Sequence, residues 1–286
     1  MKKYLLCFFA LSLITLFCFS QSAPQDEYRF FEPEPQEIVA SAPSVKSVQA
    51  KEFQLTPYGR KQDAGNLELF EFDSLGHLVR QVEIENHDTS RVRSLHYSQP
   101  GFLAWEKVDD KALAKSYKTG YRLNPDRSVF QTKNYELLNE KSAMLLDTRM
   151  YRYNESGKKQ TVFSLSNNNL NESHHFKYDD QGRLVEEIFK NREEEVIRTI
   201  KYAYNDLGLR TKIEKTDFWR TEHKEIFTYT YNEQARLLQV VWETNGKEKG
   251  KMQYEYDEEG TFLQRIRKSV DGNKEVIKEF NYEFFD

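Results

Sequence analysis

Between residues 58 and 286 apolar and polar positions alternate in short runs, and the alternation is punctuated at a steady interval. An aromatic or leucine stands two residues before another, and Asp or Asn usually follows, as in Phe70-Glu71-Phe72-Asp73 and Phe176-Lys177-Tyr178-Asp179. The second member of the pair, the anchor, recurs at Phe72, Tyr97, Leu123, Tyr153, Tyr178, Tyr204, Tyr231, Tyr256 and Tyr282, in steps of 25 to 30 residues. Strand side chains alternate between faces, so an i, i+2 aromatic pair around a polar residue marks one half-buried strand with a wet face. Repetition at a fixed period makes each unit one supersecondary element stacked on the next.

Turn chemistry follows each anchor. Asp or Asn bonds its own backbone two residues on, and Gly three residues later accepts the positive φ that closes a three-residue hairpin loop with a bulge. Asp73 with Gly76, Asn154 with Gly157, Asp179 with Gly182, Asn205 with Gly208 and Asp257 with Gly260 carry this signature. Ser98-Gln99-Pro100-Gly101, Asn124-Pro125-Asp126-Arg127 and Asn232-Glu233-Gln234-Ala235 depart from it, and those turns are expected to be strained or of another type. A return strand comes next, with apolar residues such as Leu78 and Val82, Leu184 and Ile188, or Leu237 and Val241. The far connections are polar and variable, and two hold the hairpin dipeptides Asn245-Gly246 and Asp271-Gly272.

The pattern predicts an all-β fold: a continuous antiparallel β-meander of repeated hairpins, about 26 residues per unit. Strand twist accumulates, so about seventeen or eighteen strands are expected to coil into a trough-like or partly closed sheet with the anchor aromatics on its inner face. The longest step holds Tyr135 to Asp147, which reads either as a short helix or as a long hairpin.

Organisation is simple. Residues 1–20 read as a signal peptide, with Lys2 and Lys3 ahead of the apolar run Leu5 to Phe19. As a transmembrane anchor the run is short, about 16 apolar residues against the roughly 20 a span needs. Cys18 offers lipidation as a competing reading, but bulky Phe17 precedes it. Both cysteines, Cys7 and Cys18, lie in this leader, so the expected mature chain has no thiol. Residues 21–57 hold five of the seven prolines and read as a disordered Pro-rich linker, within which Tyr28-Arg29-Phe30-Phe31 is either a docking segment or a plain patch. Residues 58–286 form the repeat domain, with no integral membrane span expected once the leader is removed.

The motif Tyr-x-Tyr-Asp-x-x-Gly-Arg-Leu, seen at Phe176 to Leu184 and in degraded form at Tyr202 to Arg210, Tyr229 to Leu237 and Tyr254 to Phe262, resembles the YD repeats of the rearrangement-hotspot (RHS) family. The resemblance implies long antiparallel sheets that coil into shells, and a link to carbohydrate binding. It brings no catalytic residue, and the chain stops at Phe284-Phe285-Asp286 directly after an anchor, where large members continue into a self-cleaving region and a toxin.

Chemistry is sparse. With a formal net charge of −4 there is no basic footprint for nucleic acid. The six histidines show no metal-ligand spacing, and adjacent His174 and His175 point to opposite strand faces, so no metal and no cofactor is expected. Acid pairs such as Glu186-Glu187 read as solvated faces. The better lead is Phe218-Trp219-Arg220, a loop suited to stacking on a sugar or anchoring a protein partner. Trp219 reads equally as a plug over the sheet end, Trp242 as structural, and Trp105 as core in phase with Leu103. The expected function is a secreted or periplasmic, non-catalytic envelope scaffold binding a glycan or an envelope protein. The alternatives are an outer-membrane β-barrel, opposed by charges such as Glu186, Arg198 and Lys278, and an envelope hydrolase with acids in the sheet trough.

Overall fold

The computed structural model describes residues 45–56, 58–99, 102–167, 169–218, 223–258, 262–270 and 274–285. They form eighteen strands and, among the described residues, no helix. The first six are β1 (Val45–Leu55), β2 (Lys61–Phe72), β3 (Leu78–Glu85), β4 (Asp88–Gln99), β5 (Phe102–Asp110) and β6 (Lys115–Leu123). The next six are β7 (Val129–Leu137), β8 (Ala143–Tyr153), β9 (Lys159–Ser166), β10 (Asn169–Tyr178), β11 (Leu184–Asn191) and β12 (Val196–Tyr204). The last are β13 (Arg210–Asp217), β14 (His223–Tyr231), β15 (Leu237–Thr244), β16 (Lys247–Tyr256), β17 (Leu263–Val270) and β18 (Lys274–Phe284).

Each strand pairs antiparallel with the next, as the meander requires, but the sheet is neither a trough nor partly closed. β1 pairs with β2 on one side and with β18 on the other, and the ring of eighteen shuts into a barrel. Val48 faces Tyr282 across one ladder and Phe70 across the other. Full closure abolishes the two edges an open sheet would leave unpaired. The closing strand lies inside the stretch whose prolines marked it as linker: it begins two residues after Pro43, and residues 21–44 lie outside the described ones. Salt bridges flank the seam. Lys278 meets Glu68 at 3.0 Å on the inner side of β1, and Lys61 pairs with Glu279 on the outer side.

The repeat motif shifts the register at the same place in eight hairpins, although the turns after Tyr97 and Tyr256 differ from the rest: Gln99 pairs with Phe102, and Asp257 bonds Phe262 where Asp73 bonds His77. In every hairpin the register slips by one residue at the anchor, at Phe72, Tyr97, Leu123, Tyr153, Tyr178, Tyr204, Tyr231 and Tyr256. Asp73 shows the turn: its Oδ1 accepts from the amides of Leu75 and His77, both at 2.9 Å, and Gly76 adopts φ 80°. Desolvation pushes the Asp73 carboxyl up, but the His77 and Leu75 hydrogen bonds outweigh it and hold it below the ordinary aspartate range. Arg127 and Ala235 occupy the glycine position at φ 71° and 63° with the same hydrogen bonds, so those turns are strained and of the same type. Gly101, Gly260 and Asp271-Gly272 lie outside the described residues. Residues 138–142 form the tip of a long hairpin, with no helix.

The register slip decides which side chains point inward. The anchor aromatics and the buried residues Phe70, Ile200, Ile213, Phe227, Val240, Met252, Ile266 and Phe280 share the inner face. Leu237 pairs with Tyr231 and Trp242 with Phe227, so the slip brings Trp242 inward with Val240. Trp105 is corrected by the same effect. Leu103 pairs with Tyr97 and Trp105 with His96, with a slip between, so Trp105 faces outward, stacked on His96 at 5.0 Å beneath Lys118.

Candidate functional site

Seven of the nine anchors are tyrosines, and all seven use the phenol in one way. Each hydroxyl donates to the carbonyl that opens the return strand of the preceding hairpin: Tyr97 to Leu78, Tyr153 to Val129, Tyr178 to Lys159 and Tyr204 to Leu184, at 2.7 to 3.0 Å. Tyr231 to Arg210, Tyr256 to Leu237 and Tyr282 to Leu263 repeat it. The ladder to the following strand begins only two residues further in, as at Arg80, Gln131 and Thr161, and the phenol reaches the carbonyl beyond its end. Burial pushes the Tyr153 and Tyr178 hydroxyls up to about 12. In the turns, Asp73, Asn154, Asp179 and Asn205 each accept a backbone amide four residues on, from His77, Lys158, Arg183 and Leu209.

The inner wall divides in two. The contiguous apolar core draws its buried members from β1–β4 and β12–β18, and none from β5–β11 among the described residues. There the wall is polar. Arg93 donates through Nε and Nη2 to one oxygen of Glu106, at 3.0 and 2.7 Å, and the Glu106 side chain is 3% exposed. Thr119, Asn134 and Asp147 form a chain of hydrogen bonds across three strands. Burial, with the charge of Glu106 second, pushes the Tyr121 hydroxyl far above its usual range.

Further round, His174, Glu187 and Tyr202 converge. Nε2 of His174 lies 2.6 Å from Oε2 of Glu187. The imidazole is clasped by Phe176 and Phe189, ring centres 4.0 and 3.9 Å away, while the Tyr202 hydroxyl donates to Glu187. Desolvation pushes Glu187 up, and His174, Tyr202 and Arg210 together outweigh it and hold the carboxylate below its ordinary range. Burial lowers the Lys159 ammonium to about 8 against the raising field of Glu187, and its Nζ sits over the Tyr151 ring. Arg198 binds Asp217, and Lys215 reaches Asp217 and Glu225 at 3.4 and 3.3 Å. Each of these inner acids thus has a cation or donor against it, which is how a buried charge is kept tolerable.

The sequence-predicted site is placed only in part. Phe218 is 46% exposed, at a rim of the barrel, with its amide bonded to the Ile197 carbonyl. Trp219 and Arg220 lie outside the described residues. His174 and His175 do diverge: His175 faces outward, its Nε2 3.0 Å from Ser173 Oγ. No group of side chains suited to a metal ion occurs among the described residues. Of the three charges set against a membrane barrel, Arg198 and Lys278 face inward, and Glu186 faces outward to Lys177.

No protein-family model matches the chain, and no curated protein matches it. Among solved structures it is similar to a Photorhabdus luminescens Tc holotoxin pore, at 14% identity and TM-score 0.36, over 79% of this chain and 15% of that one. A porin-like protein from Bacteroides uniformis matches at 12% identity and TM-score 0.42, over 84% of this chain and 98% of that one. A second porin-like protein, from Bacteroides vulgatus, gives 11% identity and TM-score 0.38, covering 84% and 98%. The chain spans 15% of the length of the holotoxin chain.

Proposed function

We propose that the chain is a closed β-barrel of the cell envelope that stands in water and acts as a non-catalytic scaffold. The outer face carries this reading. Lys177 meets Glu186 at 2.7 Å, Arg80 meets Glu71 at 3.0 Å, and Glu214, midway along β13, lies between Lys212 and Lys224 at 3.0 and 2.8 Å. A lipid-facing wall needs an apolar band roughly 25 Å tall, and a basic residue at its midplane costs roughly 2–4 kcal/mol. We assign contact with a glycan or an envelope protein to Phe218, Trp219 and Arg220, since Phe218 is exposed and aromatics beside Arg suit either.

The outer-membrane barrel stays as the second reading, because closure fits it better than it fits a trough-like scaffold. Eighteen antiparallel strands, all of 8 to 12 residues, come close to or reach the length that crosses a bilayer when tilted. Among the described residues no helix is long and apolar enough to cross a membrane, which says nothing of a barrel. One experiment separates the two: gel filtration of the chain from Gln21 onward without detergent, with gel migration compared before and after heating. A monodisperse species in plain buffer supports the water-standing scaffold. A requirement for detergent together with heat-modifiable migration overturns it in favour of the membrane barrel.

A further inference from the structure

On β12–β18 the wall is apolar inside and charged outside, as at Glu214 between Lys212 and Lys224. At one rim of β7–β10 the order is reversed. Asp147, Ser164 and Glu172 face inward there, while Leu145, Leu165 and Leu170 face outward. The β7–β8 hairpin also stands clear of its neighbour. β8 first meets β9 at Thr148, opposite Leu165, so residues 143–146 run on past that strand. Leu138 at the tip, Met144 on the inner side, Leu145 on the outer side and Leu146 at the register slip are 37–60% exposed. Leu113 is exposed on the adjoining β5–β6 turn.

We propose that this rim docks on a lipid surface, with the β7–β8 tip sunk to the boundary between headgroups and acyl chains. The inference rests on the barrel standing in water and names what one rim of it touches. Three observations select lipid as the occupant. The exposed apolar groups lie on both faces of the hairpin and on its tip. A second copy laid against the outer face would leave Leu138 and Met144 in water, whereas a fluid bilayer closes around all of them. The depth also fits. Four residues at roughly 3.3 Å each give about 13 Å, enough for the roughly 5–10 Å to which interfacial apolar faces sink. At that depth the side of β8 that β9 leaves unpaired still reaches headgroup water, which an open edge in hydrocarbon would not. Charge completes the selection. Asp110 and Lys111 on one tip, and Glu140 and Lys141 on the other, cancel, and Lys115 is held by Glu136 at 3.0 Å. Apolar burial therefore supplies the attraction, and an uncharged bilayer suffices.

The test uses the chain from Gln21, which carries no cysteine of its own. Leu138→Cys, Leu207→Cys in an exposed turn of the opposite rim, and Lys201→Cys midway along the outer wall of β12 each receive a polarity-sensitive fluorophore. Phosphatidylcholine vesicles are then added. The expected result is a blue shift and a several-fold brightening at position 138 alone, unchanged when the salt is raised. In flotation with the same vesicles, Leu145→Ser/Leu146→Ser should weaken partition by roughly tenfold or more. No change at position 138, an equal change at 138 and 207, or binding abolished by salt would overturn the rim contact. So would a brightening at 138 that needs no vesicles and grows with protein concentration, which marks a second copy as the occupant. Failure of the water-standing barrel reads differently: positions 138 and 201 brighten together, as in a wall that crosses the bilayer. A silent position 138 in a protein monodisperse without detergent condemns the docking alone.

Discussion

Tyr204→Phe deletes one oxygen from the barrel: the hydroxyl that donates to the Leu184 carbonyl at 2.7 Å. The ring stays beneath Arg183, so no cavity opens. What is lost is the hydrogen bond to Leu184, the one with the Arg210 side chain, and the cost of a half-buried carbonyl left without its donor, together about 1–2 kcal/mol. For a domain of this size that lowers the melting temperature by roughly 2–8 °C, at about 2–4 °C per kcal/mol. The assay is urea unfolding followed by circular dichroism, with the melt as a second reading. Tyr58→Phe is the control, since Tyr58 is 91% exposed and its loss should stay within about 0.5 kcal/mol of zero. Because Tyr282 donates to Leu263 and shares no partner with Tyr204, the double variant should lose the sum of the two. A Tyr204→Phe midpoint indistinguishable from that of Tyr58→Phe would show that the phenols are packing rings and not staples.

Ala235→Gly should raise stability by about 1 kcal/mol in the same assay, because Ala235 holds φ 63° where only glycine is unstrained. Gly208→Ala should cost about as much, and cleanly, since φ is 78° there and an added Cβ meets nothing within 4 Å. Gly250→Ala should cost about 1–3 kcal/mol through overpacking, as its Cβ would stand 2.2 Å from the Ser269 carbonyl and 2.6 Å from Trp242, with a midpoint equal to that of the parent refuting the packing described. Raised phenol pKa values stabilise the fold below the unfolded tyrosine value near 10, and that contribution disappears as pH climbs through about 12, the value for Tyr153 and Tyr178. Stability should therefore fall between about pH 10 and 12, and an ultraviolet titration showing those phenols ionising near 10 in the folded protein would contradict the burial described.

The hairpins were legible because everything that makes them is local. Asp73, Gly76 and Phe72 stand within five residues of one another, and turn chemistry and strand parity act over that range. Closure was not legible, because β1 and β18 carry no mark naming each other as partners, and the prolines before Val45 made the closing strand look like linker. The two faces misled at Trp105 for a definite reason: parity was counted straight through a bulge that resets it at Tyr97. The phenol staples did leave a signal. A site that needs only an apolar ring has no use for a hydroxyl, yet Tyr fills seven of nine anchors. The polar arc of Glu106, Lys159 and Glu187 left none, since an inward acid and an outward one look alike in a chain that alternates.

The seam also fixes an order of events. Lys46 and Glu283 meet across it at 2.7 Å, though 237 residues separate them along the chain. A polypeptide delivered from its N-terminus offers β1 first and must hold one of its sides unmatched until the final strand arrives, the slowest kind of contact to make. An open stack of repeats that loses its last unit is a shorter stack. Here the same loss exposes two bare edges at once, so a chain cut short before β18 announces itself as defective, and arrival of the last strand becomes the checkpoint for the whole ring.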